Sequence, residues 1–155
     1  MNRCIDLTQG DEYALASLAR LALCHPKAVP VERLAVLHRI PRAFLAKILG
    51  RCAKFGIVRA KTGPAGGMTL AREPEAISIL DVVEACGGGL RRAFCVFFSE
   101  RPCPGADCPN YCALRRGEEK IRQELKDATL AGMARALNDH PLNRGEREWT
   151  QRRPA

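Results

Sequence analysis

Leu15, Leu18, Ala19 and Ala22 recur at intervals of three and four residues, the spacing that gathers apolar side chains on one face of a helix. Thr8-Gln9-Gly10-Asp11 stands ahead of them with capping-box spacing, Asp replacing the usual Glu. His25-Pro26 closes the segment. A short helix follows over about 31–37, with Leu34 and Leu37 inward. His38-Arg39-Ile40 makes a tight connection, and Pro41 opens a third helix, where its fixed φ suits a first helical position. Phe44, Leu45, Ile48, Leu49 and Cys52 form its apolar stripe. Gly56 is the stop.

The period then shortens. Ile57-Val58-Arg59-Ala60 and Met68-Thr69-Leu70-Ala71 are short β-type runs on either side of Gly63-Pro64-Ala65-Gly66-Gly67, which predicts a hairpin with a glycine-rich tip. Ser78 and Asp81 cap a helix over 79–86 that Gly87-Gly88-Gly89 ends. Beyond a cysteine-rich stretch, Leu114, Ile121 and Leu125 mark a long amphipathic helix, and Thr129 caps a short one ending near Leu137. From Asn138 the chain is polar, with the composition of a disordered tail. There are no internal repeats.

Charge gives the pattern a direction. The 155 residues carry a net charge of +8, which favours an anionic partner. Between Val31 and Lys61 stand eight basic residues (Arg33, Arg39, Arg42, Lys47, Arg51, Lys54, Arg59 and Lys61) against one acid, Glu32. That segment spans the second helix, the third helix and the first strand. Three helices and a two-stranded wing, basic where they would meet a duplex, predict a winged helix-turn-helix: a mainly α fold with a small β wing and a long helix appended. In this geometry a helix enters the major groove while surrounding Lys and Arg neutralise phosphates. Arg42, Ala43, Ala46 and Lys47 lie away from the apolar stripe, so Arg42 and Lys47 are the candidate base readers. Arg39, Ala43, Arg59, Lys61, Thr62 and Gly63 complete the candidate DNA surface.

Neither an apolar leader nor a membrane-length apolar run is visible, so the chain is expected in the cytoplasm without membrane contact. Thiols there stay reduced, and clustered cysteines point to metal ligation or reactivity before disulfides. Four of the eight cysteines, Cys95, Cys103, Cys108 and Cys112, fall in one stretch rich in proline, spaced C-x7-C-x4-C-x3-C. That is neither the ferredoxin run nor the paired zinc-ribbon spacing. It indicates a soft-metal site in a loop, suited to an iron–sulfur cluster, zinc or copper(I), or a thiol redox switch. Cys24, Cys52 and Cys86 occupy apolar helix positions and are expected in the core. Cys4 and the three histidines receive no role. No nucleophile–base pair, phosphate loop or paired carboxylate motif appears, so the chain is not expected to be an enzyme. An iron–sulfur electron carrier would have no use for the basic winged helix.

The stretch IPRAFLAKILGRCAKFGIVRAKTGPAGGMTLAREPEAISILDVVEA resembles the core of the IscR/NsrR-type winged-helix regulators, the Rrf-two family. LTQGDEYALASLARLA resembles their first helix, and RRGEEKIRQELKDATLAGM their dimerisation helix and the segment after it. The likeness spans about residues 5–138. It implies a homodimeric transcription factor acting on a double-stranded DNA operator, with an iron–sulfur cluster, of two or four irons, sensing redox state, nitric oxide or iron supply. It implies a DNA-binding domain over 1–86, a cluster-binding segment over 87–112, a dimerisation helix with a following short helix over 113–138, and a tail over 139–155. Leu114, Ile121 and Leu125 would form the dimer interface. Cys95, Cys103 and Cys108 match three family ligands. Cys112 is the favoured fourth ligand, and Glu12, reaching from the partner's first helix, the alternative. Two positions depart from the pattern: Ala46 stands where members often carry Glu, and Thr62 where many carry a wing-tip Arg.

Overall fold

The computed structural model of the chain describes residues 7–64, 66–87, 94–95, 98–102 and 109–140. The elements run α1 (Gln9–Cys24), α2 (Val31–His38), α3 (Arg42–Lys54), β1 (Val58–Lys61), β2 (Gly67–Leu70), α4 (Ile79–Cys86), β3 (Phe94–Cys95), β4 (Phe98–Pro102), α5 (Pro109–Asp127) and α6 (Leu130–Asp139). A single 3-10 turn, Pro74–Ala76, precedes α4.

Local chemistry sets most of these boundaries. Both capping boxes form. The Asp11 backbone N–H donates to Thr8 Oγ1 at 3.2 Å while the Thr8 N–H donates to Asp11 Oδ2 at 2.8 Å. Asp81 and Ser78 repeat the exchange at 3.0 and 3.2 Å. Such a cap satisfies helix N–H groups that have no partner within the helix. Gly87 ends α4 at φ 77°, in the left-handed region that glycine enters without strain. Pro41 is the residue flanking α3 rather than its first helical position.

The core lies where α1, α2, α3, the wing and α4 converge. Leu18, Leu21, Leu34, Leu45, Ile57, Leu70 and Ile77 are fully enclosed. Burying each such side chain is worth about 1.5–3 kcal/mol relative to exposure. Two departures from the expected stripes have the same geometric cause: an apolar residue one position off the central line of a helix faces the rim. Leu37 is only half-buried, and Phe44 is 41% exposed. Phe44 meets Tyr13 of α1 edge to face, with centroids 6.1 Å apart, so it closes the α1–α3 seam from outside.

The wing is an antiparallel hairpin in which Val58 faces Leu70 and Lys61 faces Gly67. Its strands sit one residue away from the positions that alternation suggests, β1 starting at Val58 and β2 at Gly67. A backbone bridge holds it to the α1–α2 connection: the Val29 and Met68 N–H groups each donate to the other's carbonyl at 2.8 Å. Gly67 permits that approach, because a Cβ there would collide with the Val29 carbonyl. Arg72 clamps the base of the wing, donating from Nε to the Gly56 carbonyl at 3.3 Å and from Nη1 to the Ala76 carbonyl at 3.1 Å.

The end of α5 returns the chain to this body. Ile79 N–H donates to the Ala128 carbonyl and Leu130 N–H to the Ile77 carbonyl, both at 2.9 Å. Arg122 of α5 pairs with Glu84 of α4 at 2.7 Å. Helix α6 then packs on α1 and gives Leu130 to the core. Sequence spacing groups α6 with the helix before it; its burial ties it equally to the first helix.

Candidate nucleic-acid interface and cysteine segment

Helix α3 buries Leu45, Ile48, Leu49 and Cys52 along one line, which turns the opposite line to solvent. Arg42, Ala43, Ala46 and Lys47 are all exposed there, as the apolar spacing predicts. On the wing, Arg59, Lys61, Thr62 and Gly63 are exposed; only Val58 of β1 is buried. Lys47, Arg59 and Lys61 are thus free to reach a duplex.

The turn between α2 and α3 has an unusual backbone. Arg39 caps α2 at φ 54°, ψ 41°, a left-handed conformation for a residue with a Cβ. Its N–H donates to the Val36 carbonyl at 3.2 Å, and the Ile40 N–H donates to the Ala35 carbonyl at 2.9 Å. These bonds wrap the helix end and send Ile40 into the core, where it is 4% exposed. The same conformation leaves the Arg39 side chain exposed beside the start of α3.

Arg42 is less free than its spacing suggests. Its Nε pairs with Glu32 Oε1 in the first turn of α2, between side chains that are 65% and 58% exposed. The Glu32 carboxyl is held below its ordinary range, first by its own backbone N–H and then by the Arg42 guanidinium. Sequence reading missed this contact. The available signal was that Glu32 is the one acid in the basic segment, ten residues before Arg42 across a helix-turn-helix.

The last turn of α3 connects to the far side of the domain. Arg51 Nη1 donates to the Cys86 carbonyl at 2.8 Å, at the end of α4. Beneath it, Cys52 and Cys86 share a hydrogen bond between side chains, and both are buried. Cys86 is pushed far above the ordinary thiol range, first by that bond and then by burial. Cys24 is also raised by burial, though it is only half-enclosed at the end of α1.

The cysteine segment begins immediately after α4. Cys95 belongs to β3 and Cys112 to the first turn of α5. Their side chains, with that of Leu114, and the whole of Cys103 and Cys108 lie outside the described residues, as do Cys4 and the tail from Pro141. β3 and β4 pair antiparallel, Phe94 with Pro102 and Cys95 with Phe98. The alternative ligand Glu12 is exposed in the first turn of α1. Among the described residues no three His, Cys, Asp or Glu side chains converge as a metal site. Ile121 and Leu125 of α5 are each half-buried in the single chain, which leaves part of both available. No described helix is long and apolar enough to cross a membrane.

Comparison with known proteins adds four likenesses. Residues 7–136 match the family model Rrf2, described as an iron-dependent transcriptional regulator. An HTH-type transcriptional regulator of Aquifex aeolicus is 37% identical over 115 residues, covering 74% of this chain and 78% of the other. The regulator IscR of Erwinia tasmaniensis is 28% identical over 127 residues, covering 81% of this chain and 76% of the other. Among solved structures, CymR, the global cysteine regulator of B. subtilis, superposes with a TM-score of 0.71 at 20% identity, over 87% of this chain and 98% of that one, which establishes the winged-helix fold.

Proposed function

Since the chain belongs to the Rrf2 family of transcriptional regulators, we propose that it binds operator duplexes as a homodimer and senses redox state, nitric oxide or iron through an iron–sulfur cluster in the cysteine segment. The observation that carries the DNA reading is the outward line of α3. Arg42 and Lys47 stand exposed on it, opposite a buried Leu45/Ile48/Cys52 line, with basic Arg59 and Lys61 on the adjoining wing. A helix so presented can meet base edges in the major groove while the wing lies along phosphates.

Four thiols within eighteen residues, Cys95 to Cys112, suit the cluster by donor chemistry. Cys95, Cys103, Cys108 and Cys112 would hold it, with Glu12 of the partner subunit the alternative to Cys112. When bound, the group supplies iron that reacts with oxygen or nitric oxide and changes charge with redox state. The chain's own part is mechanical. The end of α4 leads into the cysteine segment and is bonded through Arg51 to the last turn of α3. A reordering of that segment therefore meets the recognition helix at its C-terminal end. In a dimer the two recognition helices must match half-sites one duplex turn apart, so a small tilt changes affinity.

Duplex binding by the purified chain over a salt series is the test. Arg42→Ala should lose about 1–3 kcal/mol on a preferred sequence and blur sequence choice. Lys61→Ala should weaken all duplexes alike and flatten the salt dependence by about one unit. Ala at Cys95, Cys103 or Cys108 should bleach protein purified without oxygen. A colourless protein with stoichiometric zinc, even after anaerobic reconstitution, replaces the cluster with a structural metal.

A further inference from the structure

Glu32 stands out on the DNA-facing side of the domain. From Val31 to Lys61 it is the one acid among eight basic residues. An acid there opposes binding to a polyanion, so neutral steering toward DNA does not explain it. Nor is it needed for packing: its side chain is 58% exposed. Beyond its own backbone N–H, its carboxylate meets the guanidinium of Arg42, through Nε. Glu32 sits in the first turn of α2 and Arg42 in the first turn of α3. Both residues line the groove between these helices, together with Val36, Arg39 and Pro41.

From this contact we infer that Glu32 is a positioning residue for DNA sequence choice, one that turns Arg42 from a phosphate contact into a base reader. The inference rests on the DNA-binding reading of α3. An unrestrained arginine has many rotamers and finds phosphate oxygens readily. Those contacts add affinity and carry no sequence information. Engaging Nε fixes the plane of the guanidinium and leaves the terminal nitrogens for a second acceptor pair. Two parallel donors match the O6 and N7 of guanine. The neighbouring carboxylate also repels phosphate, while a neutral base edge feels no such repulsion. Both effects act in the same direction: they lower general affinity and raise discrimination. Neither requires Glu32 to touch the duplex.

The experiment selects bound duplexes from a randomised pool with wild type, Glu32→Gln, Glu32→Asp, Arg42→Ala and the double variant Glu32→Gln/Arg42→Ala. Each is then titrated against the wild-type consensus and against unselected duplex over a salt series. Thermal melts accompany every variant and are expected to stay at the wild-type midpoint, since both side chains are exposed. Glu32→Gln should bind unselected duplex more tightly, with a salt slope steeper by about one unit. Its preference for the consensus should fall about fivefold or more, with loss of base choice at the position Arg42 reads. Glu32→Asp should recover part of the preference. In the Arg42→Ala background Glu32→Gln should no longer alter the preference or the recovered consensus. Equal weakening on both duplexes, an unchanged preference, or the same Glu32→Gln effect without Arg42 would each overturn the inference. If wild type recovers no duplex at all, the regulator reading fails instead, and the two failures are distinct.

Discussion

The side chain of Arg51, in the last turn of α3, donates to the carbonyl oxygen of Cys86, the last residue of α4, at 2.8 Å. A cation placed on the terminal carbonyls of a helix satisfies a group without an intrahelical partner and complements the helix dipole. Here it also joins the element that would meet DNA to the element that leads into the cysteine segment. Arg51→Ala should lower unfolding free energy by about 0.5–1.5 kcal/mol in denaturant titration. It should also shrink the difference in duplex affinity between iron-loaded and iron-free protein. Arg51→Lys should restore part of both, because the charge remains while the fork is lost. An undiminished response to iron in Arg51→Ala would show that α4 does not communicate through this bond.

Cys52 and Cys86 give the second prediction. Their shared hydrogen bond and then burial raise Cys86, and burial raises Cys24, while the same bond lowers Cys52. A folded-state thiol pKa above the ordinary 9.0 means that, past that pH, the unfolded chain has released protons that the folded chain still holds. Cys86 and Cys24 should thus leave stability undiminished below pH 9.0 and lower it as pH rises beyond it. Denaturant midpoints across neutral and alkaline pH measure this. Cys52→Ala/Cys86→Ala should have the shallower alkaline slope. In the native protein both thiols should react with iodoacetamide far more slowly than in denaturant.

Arg39 makes a prediction with opposite signs for stability and binding. Its left-handed backbone carries a steric penalty that glycine would relieve. After allowing for glycine's greater freedom in the unfolded chain, Arg39→Gly should gain about 0.5–1 kcal/mol of stability. If Arg39 contacts DNA, the same variant should bind all duplexes more weakly. A variant that is both more stable and unaltered on DNA removes Arg39 from the interface.

The fourth prediction concerns assembly. Ile121 and Leu125 lie half-buried on α5, beside the Arg122–Glu84 contact that fixes this helix to α4. Dimerisation would enclose the rest of both side chains. Ile121→Glu should yield monomers or aggregates in sedimentation. A well-behaved dimer from that variant would exclude this helix as the main interface.

Elements set by short-range chemistry were legible in the sequence. Thr8 with Asp11, and Ser78 with Asp81, announced two helix starts, and Gly56 and Gly87 two stops, because each acts within a few residues of itself. The outward line of α3 was equally legible, since a buried stripe at helical spacing determines what is left outside. Phe44 was misplaced because spacing cannot tell the centre of a buried face from its rim; Tyr13, from a helix thirty-one residues earlier, decides that. The Glu32–Arg42 pair and the Arg51–Cys86 bond were not legible for the same reason. They depend on how α2, α3 and α4 cross, which only the assembled core determines. The tight connection at Arg39 was legible, but its left-handed backbone was not, because glycine normally marks such a turn.

If the chain is a DNA-binding regulator whose affinity follows iron in its cysteine segment, removing that iron must change how it holds a duplex. The decisive experiment titrates selected and unselected duplexes with anaerobically purified protein over a salt series, before and after iron is removed by a chelator, with iron and sulfide counted in each sample. The expected result is brown protein, log affinity falling linearly with log salt, and a change on iron removal that is larger for the selected duplex than for the unselected one. Absence of duplex binding at low salt in both states would contradict the regulator. Binding that is identical with and without iron would contradict the sensor.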